Sequence, residues 1–211
     1  MDTPAVKWLD KSVIEDAAWD FLKKNNSHKS IPINVELIAE KNGIDIIEIP
    51  NLQRRLGVDG FITKDFSGIY VDQMTSQNVP VRCRFTVAHE LGHMVLHSDV
   101  YSQIGLSSVE EWFDFQDTIN CKQYGYIETQ GSIFAGCLLA PKILLDKCFA
   151  DVLPSVLPQI GDVKSRGITR DAYLDYAINM LSAKIAPMFD VSQEVITIRI
   201  KDRSDFLTLI P

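Results

Sequence analysis

The spacing of hydrophobic residues changes along this chain and predicts a different kind of element in each part. Apolar residues recur every three or four positions over Ser12–Lys24 and Asn34–Asn42, which predicts two helices. Gly43 follows the second helix at the position where glycine commonly ends a helix. Short β-rich runs separated by turn residues come next and predict a small sheet, with strands at Ile44–Ile49, Val58–Thr63 and Gly68–Asp72.

The pattern becomes predominantly helical after the strands. Val79–His97 has helical apolar spacing, and Pro80 is tolerated in a first turn. The aromatic and acidic stretch Ser98–Tyr126 predicts a long connection, which is typical of a lid, an insertion or a mobile segment. Four further helices are predicted, at Ile127–Leu139, from Pro141 to about Val152, at Thr169–Phe189 and from Ser192, with Pro154, Pro158 and Gly161 marking a loop after the second.

Length, charge and cysteine content limit the function classes. The 211 residues, 46% of them hydrophobic, are enough for one domain with its own core. Twenty-eight acidic against 21 basic residues give a net charge of −7, which argues against a dedicated nucleic-acid binder. The chain has no N-terminal apolar segment, no long apolar run and no C-x-x-C pair, which predicts a cytoplasmic protein with reduced thiols and no membrane contact.

The most informative motif is His89-Glu90-Leu91-Gly92-His93, in the second half of the predicted helix 79–97. Two histidines four positions apart lie on one face of a helix, so both imidazoles can bind a single Zn²⁺ at ~2.0–2.1 Å. Glu90 lies beside that face, where a carboxylate can accept a proton from a water on the metal. The spacing therefore predicts a zinc site with Glu90 as general base.

A catalytic zinc typically has a third protein ligand. His97 lies ~12 Å beyond His89 along the helix axis, so we expect it to cap the helix end as a partly cationic imidazole instead. His28 lies in a polar turn, where we expect a surface role. A carboxylate is therefore expected, and Glu128 is favoured because it opens an apolar helix, a more rigid position than a polar loop. The other acidic candidates are Glu110, Glu111, Asp114 and Asp117.

Two blocks of sequence are similar to the ImmA/IrrE family of bacterial metallopeptidases. Residues 84–97 read R-F-T-V-A-H-E-L-G-H-M-V-L-H and resemble the family motif R-F-T-x-A-H-E-x-G-H-x-x-x-H. Residues 128–141 resemble its E-x-x-A-N-x-F-A-x-x-L-L-x-P helix, although Gly131 and Ser132 replace the Ala-Asn pair. Any support from that asparagine is therefore absent or altered. Residues 32–40 also resemble the short helix that the family places before its sheet, and residues 185–192 and 199–200 resemble its closing helices loosely.

This resemblance implies a single zincin-like α+β domain with a small sheet against the metal helix. Residues 1–30 would form an N-terminal helix, 31–141 the catalytic core with both zinc helices, and 142–211 a C-terminal helical region. The implied site is gluzincin-like: one Zn²⁺, replaceable by Mn²⁺, bound by His89, His93 and Glu128. The implied substrate is a helix-turn-helix repressor of the Xre type, whose cleavage releases phage, mobile-element or stress-response genes. Candidates for an oxyanion donor or for support of the ligands are Tyr70, Tyr124, Tyr126 and His97.

Two other function classes stay open at this stage. One is a non-catalytic zinc module that binds a repressor or a toxin–antitoxin partner, although a structural site has no use for Glu90. The other is DNA binding through the C-terminal helices, with a turn at residues 189–192 and three basic side chains beyond it, Arg199, Lys201 and Arg203. The nearby acidic residues weaken that footprint, and the alternation over Val195–Ile200 also fits a strand, which would remove the recognition helix.

Overall fold

The computed structural model describes residues 6–25, 27–101, 121–165 and 167–210. The chain divides into two compact units, one of residues 1–29 and 33–139, the other of residues 30–32 and 140–211. We call them the first and the second unit. The second unit resumes at residue 140, two residues before the predicted start of the C-terminal helical region. That the whole chain forms a single domain stays a prediction.

The first unit contains seven described helices and three strands. In chain order they are α1 (Lys11–Lys24), α2 (Val35–Lys41), β1 (Asp45–Ile49), α3 (Leu52–Leu56), β2 (Gly60–Ile62), β3 (Gly68–Asp72), α4 (Gln73–Asn78), α5 (Pro80–Leu96), α6 (Ser98–Tyr101) and α7 (Cys121–Leu139). The predicted helices 12–24, 34–42 and 79–97 and all three strands are confirmed to within two residues at each end. The short helices α3, α4 and α6 have too few residues to show a helical period, and the sequence did not predict them. The α+β class is confirmed.

The three strands form a mixed sheet in the order β1-β3-β2. Strand β1 runs parallel to β3 and β2 runs antiparallel to it, and within the described residues β2 pairs with no other strand. A side chain at Gly60 would place its Cβ 2.6 Å from the Tyr70 carbonyl oxygen and 2.7 Å from Thr86 Cγ2. Only glycine therefore lets β2 lie this close to α5.

The packing of α5 on α7 depends on Gly92, which lies inside the H-E-x-x-H motif. A Cβ there would lie 3.0 Å from Phe134 Cδ1 and 3.1 Å from Phe134 Cβ. The Phe134 ring is fully buried and also contacts Phe21 of α1, with ring centroids 6.1 Å apart. Close apolar packing around Phe134 therefore helps to hold α5 and α7 together.

A single carboxylate joins the sheet to two short helices. Asp72 ends β3, and its Oδ2 accepts a hydrogen bond from the Thr75 backbone N–H of α4 at 3.0 Å. Its Oδ1 accepts from the Gln53 N–H of α3 at 3.1 Å. Burial acts to raise the pKa of Asp72, but these donors outweigh it and hold the pKa below its usual value.

Helix α7 begins at Cys121, six residues before the predicted start at Ile127. Gly125 and the polar residues of its first turns obscure the helical period, whereas the helix as a whole packs against α1 and α5. The predicted connection 98–126 is therefore helical at both ends, in α6 and in the start of α7. Its residues 102–120 lie outside the described residues, and so do Glu110, Glu111, Asp114 and Asp117.

The second unit contains α8 (Lys142–Lys164), α9 (Arg170–Phe189), α10 (Gln193–Lys201) and α11 (Ser204–Leu209). The predicted loop at residues 154–161 is wrong, because α8 continues through Pro154 and Pro158 to Lys164. A proline inside a helix costs about 3 kcal/mol or more. Val156 and Ile160, four positions apart and both fully buried, continue the apolar face and offset that cost.

The strand alternative at Val195–Ile200 is also wrong. Helix α10 begins at an N-cap, where Ser192 Oγ accepts a hydrogen bond from the Val195 N–H. Ile196 and Ile200 are fully buried and Ile198 is half-exposed. Residues four positions apart lie on one face of a strand and also on one face of a helix. The apolar spacing of residues 196 and 200 therefore could not distinguish a strand from a helix.

None of the helices within the described ranges has the length and apolar character needed to cross a bilayer. None of Cys83, Cys137 and Cys148 forms a disulfide, as the sequence predicted for them.

Candidate metal centre

Helix α5 presents His89 and His93 to α7, which contributes Glu128. One potential ligand atom from each of His89, Glu90 and His93 lies within 4.8 Å of the others. Glu128 Oε2 lies 3.3 Å from His89 Nε2, and Oε1 lies 3.7 Å from His93 Nε2. Ligands at ~2.0–2.1 Å from a tetrahedral zinc are separated by about 3.3–3.4 Å. The two imidazoles and Glu128 therefore fit a zinc ion with little rearrangement.

Gly131 explains how α7 comes so near to both rings. A Cβ at this position would lie 2.8 Å from His93 Cε1 and 3.0 Å from His89 Cε1 and Nε2. A glycine inside a helix costs about 1 kcal/mol relative to alanine, and here the close approach of the histidines requires it. The next residue, Ser132, places its Oγ 3.3 Å from His89 Nδ1. The serine thus contacts the ring of His89, a candidate ligand, at the position where the family motif has asparagine.

The Glu90 carboxyl group is 5% exposed, at the bottom of the site. Burial raises its pKa to about 7, against the opposing influence of His89 and of the Ile62 backbone N–H, which donates to it. A carboxyl group with this pKa can accept and return a proton near neutral pH. Burial lowers the pKa of His89, but its hydrogen bond with Glu128 and the negative charges nearby raise it overall.

His97 occupies the C-cap position of α5, as predicted, but the expected partly cationic imidazole is wrong. Its ring is buried beneath α7, and burial lowers its pKa. Its Nδ1 lies 3.2 Å from His93 Nδ1, and its Nε2 lies 3.1 Å from Gln130 Oε1. His97 therefore supports the candidate ligand His93 from behind. Burial and the two neighbouring imidazoles also hold the pKa of His93 well below its usual value.

Tyr101 is a site residue that the sequence analysis missed. Its buried ring stacks on His93, with ring centroids 5.1 Å apart and planes 24° apart. Burial raises the pKa of its phenol well above the usual value. The signal was a continued spacing of four, because residues 89, 93, 97 and 101 are successive steps of one helical face. The assignment of Tyr101 to a long connection concealed it.

A cleft of about 360 Å³ lies in front of these groups. Residues 57–61, which include the first two residues of β2, form one wall. Tyr101, Tyr124 and Glu128 also line the cleft. Among the other oxyanion candidates, Tyr126 packs edge-on against Trp8 with centroids 5.1 Å apart, and Tyr70 stacks on Phe61 at 5.0 Å. These two tyrosines are packing residues, whereas Tyr124 lines the cleft.

His28, expected at the surface, is half-buried and packs edge-on against Trp19, with ring centroids 5.8 Å apart. The turn around it is more tightly packed than its polar sequence indicated. No site residue contacts His28 among the interactions described.

A search of curated proteins finds no match to this chain. A comparison with family models matches residues 39–201 to Peptidase M78, the IrrE N-terminal-like domain. The matched residues include both histidines of the motif, Glu90 and Glu128, and cover more than half of the sequence. The family resemblance of the two motif blocks is thereby confirmed, and a peptidase of the hydrolase class follows as the general activity. The chain belongs to the Peptidase M78 family of IrrE N-terminal-like domains.

Proposed function

We propose that this protein is a zinc-dependent endopeptidase that cleaves a helix-turn-helix repressor of the Xre type and so releases phage, mobile-element or stress-response genes. The observation that carries the proposal is the position of Glu90, a buried carboxyl group with a pKa of about 7, beside two imidazoles and a second carboxylate. A general base is needed for hydrolysis and has no role in a purely structural metal site.

His89, His93 and Glu128 would hold the ion, and the cleft would leave a coordination position open to solvent and substrate, as catalytic zinc sites require. When bound, zinc supplies Lewis-acid activation of the scissile carbonyl and of the attacking water. Glu90 accepts the proton from that water and passes it to the leaving amine. Tyr101 and Tyr124 are the phenols of the described cleft and are our candidates for the donor to the developing oxyanion.

The shape of the cleft supports a polypeptide substrate. Gly60 and Phe61 of β2 line one wall, and β3 is the one strand with which β2 pairs in the described part of the chain. A free strand edge can pair with an extended segment of another chain through backbone hydrogen bonds. The sheet against α5, with an edge strand beside the histidines, also supports a zincin-like arrangement. The repressor class rests on the family resemblance.

The contacts of the basic side chains in and after α10 disfavour DNA binding through this helix. Arg199 is buried, and its Nε donates to the Ala140 carbonyl at 3.2 Å. Lys201 Nζ lies 2.9 Å from Asp175 Oδ1, and Arg203 pairs with Asp205. These cations are therefore engaged within the second unit, whereas a phosphate-binding surface presents its cations to the nucleic acid.

The proposal is tested by incubating the protein with the repressor encoded nearest its gene, with zinc or manganese, and following products by mass spectrometry. We expect cleavage at one or a few bonds by the wild type and none by Glu90→Gln, which keeps the shape of the site. Casein and short generic peptides should remain intact. A repressor that binds tightly but stays whole under every condition would favour the non-catalytic module, and rapid digestion of casein would contradict a restricted substrate.

A further inference from the structure

The imidazole of His93 has two nitrogens with different neighbours. Its Nε2 faces Glu128 and its Nδ1 faces His97. A neutral imidazole carries one proton, and only the nitrogen without it can bind a metal. The H-E-x-x-H motif does not itself decide which nitrogen of His93 carries the proton. The residues behind the ring must decide it.

The contacts that determine which nitrogen of His93 carries the proton begin at a backbone carbonyl that is distant in sequence. Gln130 is fully buried, and its Nε2 donates to the Lys7 carbonyl oxygen at 2.9 Å. A carbonyl oxygen can only accept, so the amide nitrogen of Gln130 must face Lys7 and its Oε1 must face His97. That oxygen lies 3.1 Å from His97 Nε2 and also only accepts. His97 therefore carries a proton on Nε2.

The position of the proton on His97 then determines the position of the proton on His93. Burial disfavours a charged His97 ring, and a ring whose single proton is on Nε2 has an acceptor at Nδ1. His93 Nδ1 lies 3.2 Å away, and two unprotonated nitrogens at this distance would repel each other. The proton of His93 must therefore lie on Nδ1, where it is donated to His97. This leaves Nε2 of His93 unprotonated on the side of Glu128.

We propose that Gln130 is a positioning residue which, anchored by the Lys7 carbonyl and acting through His97, fixes the tautomer in which His93 can bind the metal. The inference rests on the proposed function for its metal. The N-terminal segment thereby becomes part of the support of the centre, because the contact between Trp8 and Tyr126 holds it against α7. His89 is supported differently, by Ser132, so the two histidines do not share this relay.

The test reads the tautomers directly in metal-free protein, by long-range ¹H–¹⁵N correlation spectra of the histidine rings near neutral pH. In the wild type we expect the proton on Nδ1 of His93 and on Nε2 of His97. Gln130→Met keeps the size of the side chain but removes both polar contacts. We expect it to give a mixture of His93 tautomers and a 10–100-fold weaker zinc affinity, the range typical of losing a group that orients a ligand. Lys7→Ala is the matched control, because Lys7 contributes only its carbonyl, and it should change neither readout.

A second variant, His97→Leu, breaks the relay one step nearer the metal and should have the same effect if Gln130→Met does not fold. An unchanged His93 tautomer in Gln130→Met, or a wild-type His93 with its proton on Nε2, would overturn the inference. A wild type with the expected tautomers that binds no zinc would support the relay and reject the proposed function. The two ideas can therefore fail separately.

Discussion

The substitution Gly131→Ala separates the stability of α7 from the geometry of the metal centre. The added methyl group would lie 2.8 Å from His93 Cε1 and 3.0 Å from His89 Cε1 and Nε2. Carbon atoms in contact are normally separated by ~3.5–4.0 Å, so His93 must move by at least about 0.7 Å relative to α7. Tyr101 stacks on that ring and His97 contacts its Nδ1, so the ring has little freedom to move alone.

A shift of this size is large beside the tolerance of about 0.2 Å in the bond lengths of a metal site. We therefore expect Gly131→Ala to weaken zinc binding by about 10–100-fold, comparable to the loss of a group that orients a ligand. The same substitution should raise the free energy of unfolding by up to about 1 kcal/mol, because alanine has a higher helix propensity than glycine. Affinity is measured by competition with a chelator, and unfolding is measured in metal-free protein.

Gly125→Ala provides the matched control, because Gly125 is in the same helix and a Cβ there has no atom within 4 Å. It should stabilise the metal-free protein by about 0.5–1 kcal/mol and leave zinc affinity unchanged. The family motif has alanine at the position of Gly131, so this chain is expected to have its helices closer together than that motif requires. Wild-type zinc affinity in Gly131→Ala would refute the reasoning and show that α7 can move back at little cost.

Three further predictions concern single carboxylates. Glu90→Gln should keep its zinc and its thermal stability while peptidase activity falls by ~10²–10⁴, the range for loss of a general base; equal activity would contradict that role. Glu128→Ala should lose most of its zinc affinity in the same chelator competition, whereas Glu110→Ala should not; the reverse result would move the third ligand into the segment between α6 and α7. Asp72→Asn should lower the free energy of unfolding by about 1–2 kcal/mol, because asparagine keeps one acceptor oxygen and its NH₂ group would face the other backbone N–H donor. Since its folded pKa is depressed, this stabilisation is present above pH ~4 and is lost as the pH falls through the folded pKa, so denaturant titrations should show less acid sensitivity in the variant than in the wild type.

Local signals made α5 predictable, because Pro80, the apolar spacing and the two histidines all lie within one helix. Glu128 was favoured by its place on an apolar helix and by the family motif. Gln130 was not predictable, since its partner Lys7 is 123 positions away and contributes a backbone carbonyl that no side-chain pattern reveals. The wrong loop prediction at Pro154 has the opposite cause. Proline usually ends a helix, but here burial of apolar residues on the other face of α8 outweighs that effect.

The close contact between Gly92 and Phe134 has a consequence for how the protein is produced in the cell. This packing joins α5 to α7 without a metal, so we expect the three candidate ligands to be held near one another in the metal-free protein. Zinc fingers, in contrast, are unfolded until metal is supplied. We expect this chain to fold on synthesis even when zinc is scarce and to accumulate as an intact apoprotein. Under the proposed function, the zinc supply would then set how many molecules are active without changing how many survive degradation.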